Sequence, residues 1–513
     1  MNGAQSLVRT LLACDIDTCF ANPGTSEMHF VAALDSVKGM CCVLGLAETV
    51  VTGAADGYAR MAGKPAATLL HCGPGLANGL ANIHNAKRAM SPMVNVVGDH
   101  AIHHRPYDTP LTSDVEGVAR PFSHWVRTSM NAQSVGLDAA AAVQAARTPP
   151  GQIATLVLPA DASWGEGGQV GSALPIPQRQ PTSPENIRAI ARVLRSKEPT
   201  LLLIVGEALS EIGLLAAQRV AQVSGANLRT PTHVARMARG AGRVPVDRLP
   251  YGINQALELL KPFKHIVLVG TKHPAPFFAY PDRPSSLAAP GTQIHVLARP
   301  EQDLVGALHA LADELGAPAT VSVPQSSHRP EIATGRFDPE KFASTLGALL
   351  PENCIVAEDA VTSGRPLFAF THNAAPNDWL QLTGGAIGHG FANAIGAAVA
   401  CPDRKVVCLQ ADGSGMYCVQ ALWTQARQKL DIVNVVFANH VYKILQGELV
   451  AVGATPGPVS NDLFDLGHPN LDWVKLANGM GVEACSVTTL EQFADVFKAA
   501  CARRGPFLIE FQI

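Results

Sequence analysis

Aromatic residues are scarce in this sequence, at 5%, and charged residues make up only 16%. The formal net charge is −3. So small an imbalance gives no long-range pull toward nucleic acid or an acidic membrane surface, and neither is expected as a partner. The 11 cysteines never fall in CxxC or Cys/His finger spacing, which argues against the common zinc modules. Cys41 and Cys42 are adjacent, a poor geometry for a disulfide. The scatter reads as reduced, mostly buried thiols, and the expected localisation is cytoplasmic. The N-terminal MNGAQSLVRTLLACDIDT lacks a basic n-region followed by an apolar h-region, so no secretory leader is expected. No apolar run approaches the roughly 18 residues that span a bilayer. A clean GxGxxG after a strand, with an acid about 20 residues on, is also missing. That absence weighs against a nucleotide-dependent oxidoreductase.

What is present is buried surface. The chain has 513 residues, 47% of them hydrophobic, too many for one core, and length alone suggests three or so domains. From residue 1 to about 165, helical patterns alternate with the short apolar runs CCVLGL, AATLLH, MVNVVG and ATLVLP. That alternation predicts α/β architecture with a parallel sheet. The polar, Pro-rich GGQVGSALPIPQRQPTSPEN reads as a linker. A second α/β segment spans 185–325, with strands at PTLLLIVG, HIVLVG and TQIHVLA. After the polar stretch VPQSSHRPEIATGRF, a third runs over 337–513, with strands at CIVAED, DWLQL, KVVCLQ, IVNVVFAN and FLIEFQ. The first and third segments share a weak echo. Both read helix, strand, Gly turn, helix, at similar length.

Residues 408–445, CLQADGSGMYCVQALWTQARQKLDIVNVVFANHVYKIL, carry the strongest chemical signal. A buried strand turns on Asp412-Gly413-Ser414, continues as a helix, and a second strand stops at Asn439-His440. A Gly-Ser turn opening a helix at a strand's C-terminal end suits a diphosphate, because free N–H groups point at it. The Asp412 carboxylate would repel that diphosphate unless a cation lies between them. Mg²⁺, bound by protein oxygens and phosphate oxygens together, answers this, with Asn439 supplying a neutral oxygen from the next strand. The competing reading is a helix cap at Asp412 and a turn at Asn439.

Here the chain resembles the thiamin diphosphate (ThDP) enzymes, whose motif is Gly-Asp-Gly followed by Asn-Asn. The resemblance implies three doubly wound parallel-sheet α/β domains: pyrimidine-binding (1–165), central Rossmann-like (185–325) and diphosphate-binding (337–513). It implies thiamin diphosphate and Mg²⁺ as cofactors, with Asp412, Asn439 and the Val441 carbonyl as metal ligands. Gly413, Ser414 and Tyr442 fall against the cofactor. Ala411 and Ala438 depart from the motif, at positions that are not side-chain ligands. Glu48, in VLGLAETVVTGAADGYAR, takes the place of the acid that activates the aminopyrimidine; alone it would also read as a helix N-terminal acid. In QLTGGAIGHGFANAIGAAVA, Gly385 permits close approach and Ile387 falls on the bulky wedge that bends the cofactor.

The closest flavour is the branch holding acetolactate synthase and benzoylformate decarboxylase. Thr25, in NPGTSE, and His71, in LLHCGPG, fall on the substrate side, with His71 a candidate proton shuttle. The central domain offers Phe277-Phe278, with His273 nearby, where benzoylformate decarboxylase has a second catalytic His. Leu445 stands where pyruvate decarboxylases carry a Glu, which argues against simple pyruvate decarboxylation. His100, His103 and His104 lack carboxylate partners at helical spacing, so a metal site there is not expected. LIVGEALSEIG is not a dinucleotide fingerprint; FAD is left open but not indicated. The implied function is a 2-oxo acid decarboxylase/carboligase of acetolactate synthase type. Two readings stand beside it: a lyase of an aromatic or branched 2-oxo acid, and a non-catalytic ThDP-binding regulatory relative. A homodimer or homotetramer with active sites at the subunit interface is the implied assembly.

Overall fold

The computed structural model describes residues 1–323 and 330–513. Residues 324–329 of the polar stretch expected between the second and third segments lie outside the described residues. Three sheets organise the chain. The first holds β1 (Thr18–Ala21), β2 (Cys41–Leu44), β3 (Ala66–His71), β4 (Met93–Asp99), β5 (Trp125–Thr128) and β6 (Ile153–Pro159) in the order β2-β1-β3-β4-β6-β5. All its pairings are parallel. Its central strands are buried on both faces, which is why they read as continuous apolar runs rather than alternating ones.

The second sheet holds β7 (Thr200–Ile204), β8 (Asn227–Thr230), β10 (Asp247–Arg248), β11 (His265–Val269) and β12 (Gln293–Ala298). Between β8 and β10, β9 (Arg236–Arg239) leaves this sheet and pairs antiparallel with β14 (Asn377–Gln381) of the third. The third sheet adds β13 (Ile355–Asp359), β15 (Val406–Ala411), β16 (Ile432–Ala438), β17 (Glu483–Val487) and β18 (Phe507–Gln512), in the order β17-β18-β16-β15-β13-β14-β9. No helix among the described residues is long and apolar enough to cross a membrane.

The echo between the first and third segments is a duplication of topology. Apart from β9, the third sheet read from its other end is β14-β13-β15-β16-β18-β17, strand for strand the order of the first. The helix Glu48–Ala62, between β2 and β3, therefore corresponds to the helix Gly390–Ala400, between β14 and β15. These two equivalent helices pack on each other, and their Ala/Gly composition explains how closely. A Cβ on Gly57 would lie 2.0 Å from the Asn393 carbonyl oxygen, and one on Gly396 would lie 1.8 Å from that of Ala54. Val50, Val51 and Ala54 share one continuous core with Ala394, Ile395 and Ala398.

Candidate active site

The parallel pairing of β15 with β16, registered at Ala411 against Phe437, brings Asp412 and Asn439 to the ends of adjacent strands. The Asp412 carboxylate joins the two: Oδ1 accepts the Gly413 N–H at 2.8 Å and Oδ2 accepts the His440 N–H at 2.6 Å. The Asn439 side-chain oxygen accepts the Val441 N–H at 3.0 Å, folding the loop back on itself. His440 holds a φ of 54°, the left-handed conformation this reversal needs. Tyr442 lays its ring over Gly413, where a Cβ would lie 2.5 Å from the ring. The helix expected after Ser414 is broken into Asp412–Gly415, a 3₁₀ turn Met416–Cys418, and Ala421–Arg427. Gly413 and Gly415, poor helix formers, account for the break. The Ser414 hydroxyl turns inward, donating to the Asp359 carbonyl at 3.1 Å and contacting Gln410, so its backbone N–H is what remains for a diphosphate.

Asp412 is 2% exposed, and no cationic side chain among the described residues pairs with it. Burial pushes its carboxyl above the ordinary range, against the pull of the His440 and Gly413 amides. A buried carboxylate without a counter-ion, flanked by an amide oxygen and a free-standing loop, fits a hard divalent cation.

Glu48 is the first residue of its helix and 9% exposed. Its Oε2 accepts from Asn78 Nδ2 at 3.2 Å, and Gly75 leaves room beside Oε1, where a Cβ would come within 2.7 Å. Asn78 and Gly75 belong to the helix Cys72–Ala89, which also anchors the loop 383–387. Asn85 donates to the Ala386 carbonyl at 2.8 Å, His84 lies 3.2 Å from that of Gly384, and Thr383 donates to the Asn85 carbonyl at 2.7 Å. Gly385 has a φ of 77°, which favours glycine, and the Phe277 ring sits where its Cβ would be, at 2.5 Å. Ile387 is half-buried rather than sealed in the core. Immediately after it, Asp359 Oδ2 accepts the Gly388 and His389 N–H groups, both at 2.9 Å. Asp359, which the sequence did not single out, thus fixes the backbone that follows Ile387.

His71 ends β3 and is locked by a neighbour the sequence reading passed over. Its Nδ1 lies 2.9 Å from Glu27 Oε2, and Glu27 is 2% exposed. Glu27 also accepts the Gly24 N–H at 2.8 Å and the Ser26 hydroxyl. Thr25 is exposed; Ser26 makes the contacts instead, its Oγ lying 3.2 Å from His71 Nδ1 and 3.2 Å from Cys72 Sγ. Only the lone acid in NPGTSEM hinted at this. Gly24 faces the imidazole so closely that a Cβ would fall 2.2 Å from the ring.

Phe277 and Phe278 form an edge-to-face pair with centroids 5.0 Å apart, and Tyr251 lies 5.7 Å from Phe277. Together they make an aromatic wall above the Gly385 turn. His273 lies 2.8 Å from the Ser286 hydroxyl. His100 and His104 lie with ring centroids 5.8 Å apart at a 54° tilt, while His103 pairs with Asp161 at 3.4 Å. Leu445 is 41% exposed on the helix Lys443–Ala451, directly after the loop that carries Asn439 and Val441. That helix has no buried residue; Tyr251 and Tyr280 hold it by donating to Glu448 at 3.1 and 2.8 Å.

The chain is similar to known proteins along most of its length. The profile described as thiamine pyrophosphate enzyme, N-terminal TPP binding domain, matches residues 1–122, and its C-terminal TPP binding domain counterpart matches residues 361–511. A Mycobacterium tuberculosis (strain ATCC 25618 / H37Rv) protein with a provisional name, acetolactate synthase large subunit IlvX, is 51% identical over 99% of this chain and 98% of its own length. Benzoylformate decarboxylase of Pseudomonas aeruginosa is 27% identical over 96% of each chain. Among solved structures, the thiamine diphosphate-dependent 4-hydroxybenzoylformate decarboxylase of Rhodococcus jostii RHA1 superposes with a TM-score of 0.84 at 24% identity, covering 99% of this chain and 98% of its own; it shares the fold. With two cofactor-binding halves matched and a full-length relative at this identity, the chain belongs to the thiamine pyrophosphate enzyme family.

Proposed function

We propose that this enzyme decarboxylates a 2-oxo acid and then either protonates the remaining fragment or passes it to a second carbonyl, as the name acetolactate synthase implies for its relative. The observation that carries the reading is Glu48: a buried carboxylate with Asn78 on one oxygen, beside a glycine gap. Binding a diphosphate does not need that group; activating the cofactor does. When bound, thiamin diphosphate supplies the carbon nucleophile and the electron sink for loss of CO₂. Asp412, Asn439 and the Val441 carbonyl would hold Mg²⁺, and Gly413 and Ser414 would offer backbone N–H groups to the phosphates. Glu48, with Oε1 left beside the Gly75 gap, would meet the pyrimidine, and Ile387, on a loop fixed by Asp359 and Asn85, would pack against the cofactor. Glu27 holds His71 by Nδ1, which leaves Nε2 to carry a proton at the substrate side.

Phe277, Phe278, Tyr251 and Leu445 favour a substrate or acceptor with an apolar or aromatic side chain over pyruvate alone. The working assembly in this reading is a homodimer or homotetramer in the cytoplasm. Exposed apolar side chains around the diphosphate half support it: Val450, Val459 and Leu463 are 65%, 73% and 69% exposed. The test is a panel of aliphatic and aromatic 2-oxo acids with ThDP and Mg²⁺, with and without an aldehyde acceptor. Glu48→Gln should retain ThDP and lose most turnover. Undiminished turnover in that variant would sink the mechanism.

A further inference from the structure

The group Glu27, His71 and Cys72 has a property that proton transfer does not use. A carboxylate oxygen, a ring nitrogen and a thiol sulfur lie within 4.8 Å of one another, and this is the one His/Cys/Asp/Glu cluster among the described residues that meets that condition. Glu27 and Cys72 are 2% and 0% exposed, while the His71 side chain keeps 21% of its surface. Three protein donors with one open side are the arrangement of a four-coordinate ion that keeps a position for solvent or a ligand. Cys72 is turned to the others by a left-handed φ of 52°. The Ser26 hydroxyl contacts all three donors and so marks their meeting point; rotation about its single χ1 vacates it.

The duplicated topology places this cluster. Cys72 follows β3, the counterpart of β15, after which Asp412 stands. The end of one strand thus carries an all-oxygen set, and the equivalent strand end carries a nitrogen–oxygen–sulfur set. Hard ions prefer the first and thiophilic ions the second. We propose that Glu27, His71 and Cys72 form a second cation site, selective for Zn²⁺-like divalent ions, whose occupancy takes His71 Nδ1 from Glu27 and halts turnover. Mg²⁺ does not compete there. Burial raises the Cys72 thiol to about 11, so binding releases a proton, since a coordinated thiol ionises.

The experiment titrates the full-length, chelator-treated protein with Co²⁺ and reads its absorption. The expected result is one Co²⁺ per chain, with a sulfur-to-cobalt band and the intense d–d bands of four-coordination, displaced by Zn²⁺ but not by excess Mg²⁺. Cys72→Ser should abolish the sulfur band, and Glu27→Gln should weaken binding at least about tenfold. Cys41→Ser/Cys42→Ser, which removes the exposed cysteine pair, should leave the spectrum intact. No sulfur band in the unaltered protein, a band surviving in a folded Cys72→Ser variant, or its loss in the Cys41/Cys42 variant would each overturn the proposal. The optical readout is separate from turnover, so failure on every 2-oxo acid would refute the proposed reaction and leave the cation site standing.

Discussion

Asp56→Asn should unsettle the chain far more than its size suggests. Asp56 is fully buried in the helix that begins with Glu48. Its carboxylate accepts Arg60 Nε at 2.8 Å, Arg60 Nη2 at 2.6 Å, His389 Nε2 at 2.8 Å and the Ser91 hydroxyl. Arg60 in turn donates to the carbonyls of Ala235 at 3.0 Å and Gln381 at 2.6 Å, so the ion pair ties all three segments together. Removing the charge leaves a buried guanidinium uncompensated, which costs about 3–5 kcal/mol. Acid titration supplies a second measure. Burial alone would raise the Asp56 carboxyl, but Arg60 and His389 outweigh it and hold it down at about 2 against the usual 3.8. That depression is worth about 2–3 kcal/mol. The contribution is complete above the usual carboxylate pKa and is lost as pH falls through about 2; the Asn variant lacks this acid-dependent part. Guanidinium unfolding followed by the fluorescence of Trp379 and Trp473, both fully buried in the third segment, reports the loss. Because His389 follows the wedge loop, ThDP affinity should fall with stability. A loss under about 1 kcal/mol, or an unchanged acid slope, would refute the claim that this carboxylate carries the network.

Three further outcomes follow from the same geometry. Gly24→Ala adds a methyl at a φ of −121°, which alanine adopts freely, so the fold should hold while the displaced His71 ring lowers kcat at least about tenfold; steady-state kinetics beside ThDP titration checks both halves. Asp412→Asn should cut Mg²⁺-dependent ThDP binding about 10–100-fold by calorimetry, with little change in the melting temperature of the cofactor-free protein. Glu448→Gln weakens both tyrosine hydrogen bonds to the helix Lys443–Ala451; faster amide exchange confined to that helix is expected, with KM rising more than kcat falls.

The sequence made some of this legible and hid the rest for definable reasons. AATLLH and MVNVVG read as strands because both faces of β3 and β4 are buried. TCFA, WVRT and NLRT went unread: β1, β5 and β8 are four residues each, and arginines break the apolar pattern of the last two. β9 could not have been assigned to the third sheet, since its exchange depends on which edge is open after folding, a property no local pattern encodes. Asp412 and Asn439 were legible as a pair because each ends an apolar strand run, and the fold sets those strands, β15 and β16, side by side. Glu27 and His71 are 44 residues apart, and nothing short of the fold brings them within hydrogen-bond reach.

The same contrast explains why the weak internal echo mattered more than its sequence match. Two similar units need no common residues to share a strand order, only helices able to cross closely, and Gly57 and Gly396 provide that crossing. Once it forms, Glu48 and the wedge loop are fixed relative to each other through Asp56, His389 and Asn85, before any ligand arrives. The polar groups at the strand ends are then free to diverge. One unit carries Asp412 at its strand end; the other carries the Glu27–His71–Cys72 set. Chemistry at this fold is therefore written in strand-end loops on a frame whose rigidity comes from small residues, so a large side chain at Gly57 or Gly396 should cost both cofactor binding and stability, although neither residue touches the site.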